Sequence, residues 1–265
     1  MPSKPRSSLR ILLFAAIVAI VSGTIVSAVS VWLAPRQAEN LKRERQEVLQ
    51  SMLDCDPALA ALLEEAVGGG ARLEARVVDL DLGCYEQGID ATCFDVEAAA
   101  ASPGQRLVLS PDQDVASIGE RPNRVVVYEV RRDGALALLV LPVYGLGYQS
   151  RLEGFLSLEA DLETVSSLVF YEHGETPGMG ARIADPDWQA TWRGKRTRDD
   201  AGQLRLGVAT RVAEQASPYE VDAMSGATRT AQGVTNLLRF WLGDLGYAPL
   251  IRSLRSGVEC PDPTD

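Results

Sequence analysis

Apolar positions late in the chain recur with helical spacing. Val234, Leu237, Leu238, Trp241, Leu242 and Leu245 fall at i, i+3, i+4, i+7, i+8 and i+11, and Gly246 follows as a stop. This spacing predicts an amphipathic helix from about Thr228 to Leu245. Upstream the pattern changes to strands. Residues 125–128 and 135–143 are β-rich runs flanking Arg132-Asp133-Gly134, and the Asp-Gly pair predicts a hairpin. Residues 154–158 and 165–171 form a second pair around Ala160-Asp161, and residues 204–212 read as a further strand. Residues 71–123 hold only short apolar runs, Val77-Val78 and 107–109, separated by Pro and Gly, and read as irregular. Strands followed by a helix that needs a sheet to pack on give an α+β domain.

The pattern differs at the N-terminus. Residues 11–33 are 23 positions without a charge, with Lys4, Arg6 and Arg10 before them and Arg36, Lys42, Arg43 and Arg45 after. At about 1.5 Å rise per residue such a helix crosses a hydrocarbon core of roughly 30 Å. A cleaved signal peptide is the competing reading, with Val26-Ser27-Ala28 as the cleavage site. The run exceeds the roughly 7–15 residues of a signal core, and Trp32 lies near its far boundary as an interfacial anchor does. A retained anchor is therefore expected, in contact with membrane lipid. Residues 34–70 read as a charged helical stalk with Leu41, Val48, Leu49, Met52 and Leu53 as its apolar stripe, ending at Gly68-Gly69-Gly70.

Composition narrows the function. The chain has 265 residues, 46% of them hydrophobic, and a net charge of −10. Its first 50 residues hold seven Lys/Arg against three Glu, so the remainder carries −14. Without a basic stripe to neutralise phosphates, nucleic acid is excluded as a partner. Four cysteines, Cys55, Cys84, Cys93 and Cys260, allow up to two disulfides in any of three pairings, of which Cys84 with Cys93 is the plausible local closure. With no C-x-x-C and a single histidine, His173, no metal site is expected. No G-x-G-x-x-G follows a strand and opens a helix, so nothing here binds NADH.

The richest local signal is Asp222-Ala223-Met224-Ser225-Gly226-Ala227-Thr228, immediately before the amphipathic helix. Unpaired N–H groups and the positive end of the helix dipole point at whatever Thr228 carries, and Gly226 and Ala227 leave room for a bulky group. The motif therefore reads as an attachment site for a phosphate-bearing cofactor. The plainer alternative is an ordinary helix start capped by Ser225 or Thr228. A hydrolytic triad of Ser225, His173 and Asp222 is disfavoured, because Ser225 lacks the G-x-S-x-G elbow. No catalytic residue is assigned.

From residue 141 to 250 the chain resembles the NqrC family, the C subunits of the bacterial sodium-translocating NADH:quinone reductases. The likeness rests on Leu141-Pro142-Val143-Tyr144-Gly145-Leu146-Gly147-Tyr148, on Gly154-Phe155-Leu156-Ser157-Leu158, on the string from Phe170 to Gly180, on Asp222 to Thr228, and on Phe240-Trp241-Leu242-Gly243-Asp244-Leu245-Gly246-Tyr247. The resemblance implies FMN joined by a phosphoester to Thr228, within a D-x-x-S/T-G-A-T motif that also contains Asp222, Ser225, Gly226 and Ala227. Glycines 174, 178 and 180 with Pro177 form a loop able to approach a flavin ring closely, so Glu175, Thr176, Gly178 and Met179 join the expected cofactor-binding set. A simple Gly-Pro turn is the alternative there, and Glu172 and Glu175 read most simply as solvated. Trp188 and Trp192 pack on one face, and Lys195 after them is a weaker binding candidate. The family shows Leu-Trp-Ser where this chain has Gly147-Tyr148-Gln149-Ser150, and Tyr148 offers the aromatic wall instead.

The implied organisation is a cytoplasmic N-terminus (1–10), a single transmembrane helix (11–33), a stalk (34–70), the N-terminal part of a periplasmic mixed α/β domain (71–140), an FMN-binding domain (141–250) and a tail (251–265). The implied role is electron transfer in an inner-membrane complex that oxidises NADH, reduces ubiquinone and exports Na+, with no independent catalytic activity. Partners would be the A, B, D, E and F proteins of that complex and a periplasmic flavin transferase. The homologous FMN protein of an Rnf-type ferredoxin:NAD oxidoreductase and a flavin-free periplasmic binding or assembly module are the alternatives.

Overall fold

The computed structural model describes residues 71–89, 91, 94–209 and 217–257. The chain divides into two units, Met1–Gln50 and Ser51–Asp265, and every described residue belongs to the second. The expected membrane span at 11–33 and stalk at 34–70 lie outside the described residues. Among the described residues no helix is long and apolar enough to cross a membrane.

The described residues form ten strands and four helices in chain order: β1 (Ala71–Asp79), β2 (Cys84–Tyr85), α1 (Val96–Ala100), β3 (Arg106–Val108), β4 (Glu120–Pro122), β5 (Arg124–Arg132), β6 (Ala135–Leu146), β7 (Arg151–Glu159), β8 (Val165–Glu172), α2 (Pro186–Ala190), β9 (Gly207–Val208), β10 (Glu220–Val221), α3 (Thr228–Trp241) and α4 (Ala248–Ser256). A 3-10 turn, Gly180–Ala184, precedes α2. Six strands form an antiparallel sheet in the order β2-β1-β5-β6-β7-β8. Its centre is the expected hairpin. Asp133 and Gly134 take φ of 50° and 81°, the left-handed pair that a two-residue turn needs to return β5 onto β6.

Alternate positions of β5, β6 and β7, among them Val127, Leu139, Leu141, Val143, Leu156 and Leu158, meet Val234, Leu237, Leu238 and Trp241 of α3 in the core. The opposite face also buries Val130, Leu138, Val140, Phe155 and Val169. Polar bonds fix the helix on the sheet. The Trp241 indole N–H donates to the Tyr144 carbonyl at 2.7 Å, and the Tyr247 hydroxyl donates to the Pro142 carbonyl at 2.7 Å. Small residues then allow close approach, for a Cβ on Gly233 would lie 2.6 Å from the Leu146 carbonyl oxygen.

The structure revises several sequence expectations. Residues 71–123 are not irregular: β1 pairs along its whole length with β5, and β2, β3 and β4 follow it. The strand expected over 204–212 shrinks to Gly207–Val208, paired in parallel with β10, with residues 210–216 outside the described set. The final helix stops at Trp241 rather than Leu245, and α4 follows it, packed by Pro249 on the Gly83 turn. Strand β6 crosses the expected boundary at 140/141, so residues 71–140 and 141–250 share one sheet; α4 likewise crosses 250/251. Cys84 is disulfide-bonded, and the other three cysteines lie outside the described residues.

Candidate functional site

Thr228 is the first residue of α3 and is exposed. The short helices α1 and α2 open on Asp95 and Asp185, whose carboxylates accept first-turn N–H groups. Helix α3 is different. Ala227 occupies its cap position, and no side chain caps it. Neither Ser225 nor Thr228 serves as the cap, so the ordinary helix start considered from sequence is not the one that forms. The positive end of a 14-residue helix is left facing outward beside a free hydroxyl.

Three segments converge there. The β6–β7 turn, residues 147–150, carries Tyr148, which is 49% exposed, and the loop after β8 carries Met179, which is 47% exposed. The motif 222–228 supplies the third. Gly226 sits in it with φ +77°, and the position of a Cβ there is 3.8 Å from Met179 Cε. The Arg229 guanidinium lies 5.0 Å from the centroid of the Tyr148 ring. A shallow recess beside Thr228 is lined by Val208, Ala209, Ala223, Ala231 and Gln232.

Glu175 ties the segments together. It is 4% exposed, not solvated as the sequence suggested. Its Oε1 accepts the backbone N–H groups of Tyr148 at 2.9 Å, Gln149 at 2.8 Å and Ser150 at 3.3 Å. Its Oε2 accepts the Thr230 hydroxyl of α3 at 2.5 Å. The Ser150 hydroxyl in turn accepts the Gly174 N–H at 2.6 Å.

Asp222, Ser225, Thr176 and Gly178 are exposed, and Ala227 is buried under the helix start. The Thr176 carbonyl accepts the N–H groups of Met179 and Ala181, closing the Gly-Pro loop, in which Gly178 takes φ +75°. Lys195 is engaged apart from this group, its ammonium donating to the Ser217 carbonyl at 2.6 Å. His173 accepts the Glu175 N–H at Nδ1, a bond within its own loop. Trp188 and Trp192 pack edge to face, 5.4 Å apart. Sequence reasoning missed Thr230 and Arg229. Thr230 carried a usable signal, since it falls on the buried stripe of α3, where a hydroxyl requires a partner.

The β6–β7 turn, the loop after β8 and the uncapped start of α3 that build this site lie within residues 147–243, which match the family model of the FMN-binding domain, and this defines the class of protein. Over 261 residues the chain is 39% identical to the C subunit of the Na(+)-translocating NADH-quinone reductase of Pseudomonas aeruginosa, covering 95% of this chain and 97% of that one. It is 36% identical to the protein of the same name from Yersinia pestis, covering 96% and 97%. Among solved structures, NqrC of Shewanella oneidensis superposes with a TM-score of 0.65 at 32% identity, covering 73% of this chain and 88% of that one. The chain belongs to the NqrC family, the C subunits of the Na+-translocating NADH-quinone reductases. Membership decides between the two electron-transfer complexes weighed from the sequence.

Proposed function

We propose that this chain carries FMN as a phosphoester on Thr228 and relays electrons inside a membrane complex that oxidises NADH, reduces quinone and exports Na+. The observation that carries the reading is the exposed Thr228 hydroxyl at the uncapped start of α3, within an intact D-x-x-S-G-A-T motif. The residues suit such a group. Orphan N–H groups and the helix dipole stabilise an anionic phosphoester. Gly226, with only Met179 near its Cβ position, keeps the approach clear. The half-exposed Met179 and Tyr148 offer apolar surface to a planar ring.

FMN supplies reversible acceptance and release of electrons. The protein's own residues hold and orient it. Thr228 fixes its position, Arg229 places a cation beside the attachment point, and the loops carrying Tyr148 and Met179 limit access of water. Asp222 and Ser225 are exposed, where a flavin transferase can read them. Residues 11–33 anchor the chain in the inner membrane, with residues 71–257 on the periplasmic side, and the other proteins of the complex bind NADH, quinone and Na+.

Intact-mass spectrometry with peptide mapping, on chain co-expressed with a flavin transferase, tests the assignment. An FMN-sized addition on the peptide containing Thr228, lost in Thr228→Val, is the expected result. An unmodified wild-type chain under an active transferase would remove the flavin reading and leave a flavin-free binding or assembly module.

A further inference from the structure

We propose that Glu175 is the positioning residue of this site: it holds the Tyr148 turn and the first turn of α3 in one geometry, and does so without touching the cofactor. The inference rests on the reading of Thr228 as the flavin-bearing residue. Its warrant is the way the carboxylate is used. Oε1 sits in a nest of three successive N–H groups, from Tyr148, Gln149 and Ser150, and Oε2 takes the Thr230 hydroxyl. Four donors from two elements converge on one buried anion, so it faces protein on both sides. Hydrogen bonds to a charged acceptor are stronger and more directional than neutral ones, which suits a strut.

The packing leaves the carboxylate little freedom. A Cβ at Gly147 would stand 2.5 Å from Oε1, and one at Gly180 would stand 2.6 Å from both Oε2 and the Thr230 hydroxyl. The group is enclosed by two glycine backbones with no space for a methyl on either flank. Thr230 lies two residues beyond Thr228, so the bond to Glu175 sets the azimuth of the helix turn that presents Thr228. The nest sets the turn that presents Tyr148, whose ring stacks on Arg229. Loss of the strut therefore loosens the ring's surroundings while the threonine hydroxyl stays accessible for attachment.

The test compares wild type, Glu175→Gln, Thr230→Val and Thr230→Ser, each co-expressed with a flavin transferase. Flavin at Thr228 is scored by mass spectrometry; the visible circular dichroism and the midpoint potential of the bound flavin are then measured. Wild type and Thr230→Ser, which keeps the hydroxyl, should be alike. Thr230→Val and Glu175→Gln should both remain flavinylated, lose most of the visible dichroism and shift the potential in the same direction. A wild-type chain without flavin at Thr228 refutes the functional reading itself. A flavinylated wild type with dichroism and potential unchanged in Thr230→Val overturns the positioning role alone. So does a change confined to Glu175→Gln, since that pattern means the carboxylate acts on the flavin directly. If Glu175→Gln does not fold, the two Thr230 variants decide.

Discussion

At the residue scale, neighbouring glycines of one loop are required for different reasons. Gly180 is needed for space, because a Cβ there meets Glu175 Oε2 and the Thr230 hydroxyl at 2.6 Å. Gly178 is needed for backbone conformation, with φ +75° and nothing within 4 Å of its Cβ position. Gly180→Ala should cost about 1–3 kcal/mol by overpacking, and Gly178→Ala about 1–2 kcal/mol for the left-handed backbone. Asparagine separates the two causes. It tolerates left-handed φ, so Gly178→Asn should recover much of the loss, while Gly180→Asn should be at least as damaging as alanine. Equilibrium urea unfolding reads all four. Recovery at position 180 would show that the Glu175 carboxylate can move aside.

At the scale of elements, the seating of α3 on β6 sets two effects against each other at Gly233. Alanine is favoured over glycine inside a helix by about 1 kcal/mol. Its Cβ, however, would lie 2.6 Å from the Leu146 carbonyl oxygen and 2.9 Å from Gly147 Cα. That backbone is pinned by the β6–β7 register and by the Glu175 nest, so it cannot yield cheaply. Gly233→Ala should therefore destabilise by about 1–3 kcal/mol despite its higher propensity; a raised urea midpoint would mean that the helix can slide on the sheet. The same elements show what was legible in the sequence. Helix α3 and the β5–β6 hairpin were, since a sustained 3.6 period and an Asp-Gly turn are local signals. Strand β1 was missed although Ala71, Leu73, Ala75 and Val77 alternate with Arg72, Glu74 and Arg76, because two of those four apolar residues are alanine and the run looked too polar. Strands of two or three residues such as β2 and β4 have no period to read, and only their partners across the fold create them. The site divides likewise: Thr228 is marked by its own motif, whereas Glu175, placed by the sequence in the flavin loop and read as a solvated carboxylate, carries no local sign of the distant 147–150 turn and Thr230 that enclose it.

For the whole molecule, pH links the fold's stability to groups at opposite ends of the scale. Asp161 is partly buried, which alone would raise its pKa; bonds from the Thr164 hydroxyl, from the N–H groups of Thr164 and Glu163, and the charge of Arg255 outweigh that and hold the carboxyl below its usual value of 3.8. A depressed carboxyl contributes stability above the unfolded pKa that is lost as the pH falls through the folded one, so its effect is confined to strong acid. The alkaline side is the larger effect. Burial pushes Tyr144 up to about 12. Tyr85, partly buried and donating to the Glu129 carboxylate, and Tyr247, buried and donating to the Pro142 carbonyl, are raised well above 10.0. A phenol held neutral in the fold but free to ionise when unfolded gives stability that is complete below about pH 10 and lost as the pH rises through the folded pKa. Urea midpoints should accordingly stay level from about pH 8 to 10 and fall steeply towards 12. Tyr144→Phe removes one of the three ionisations, and should remove on the order of 2–3 kcal/mol of that fall while changing the neutral-pH midpoint little. An identical alkaline slope in the variant would mean that Tyr144 ionises as readily in the folded chain as in the unfolded one, and that its ring between Trp241 and Arg151 is open to water.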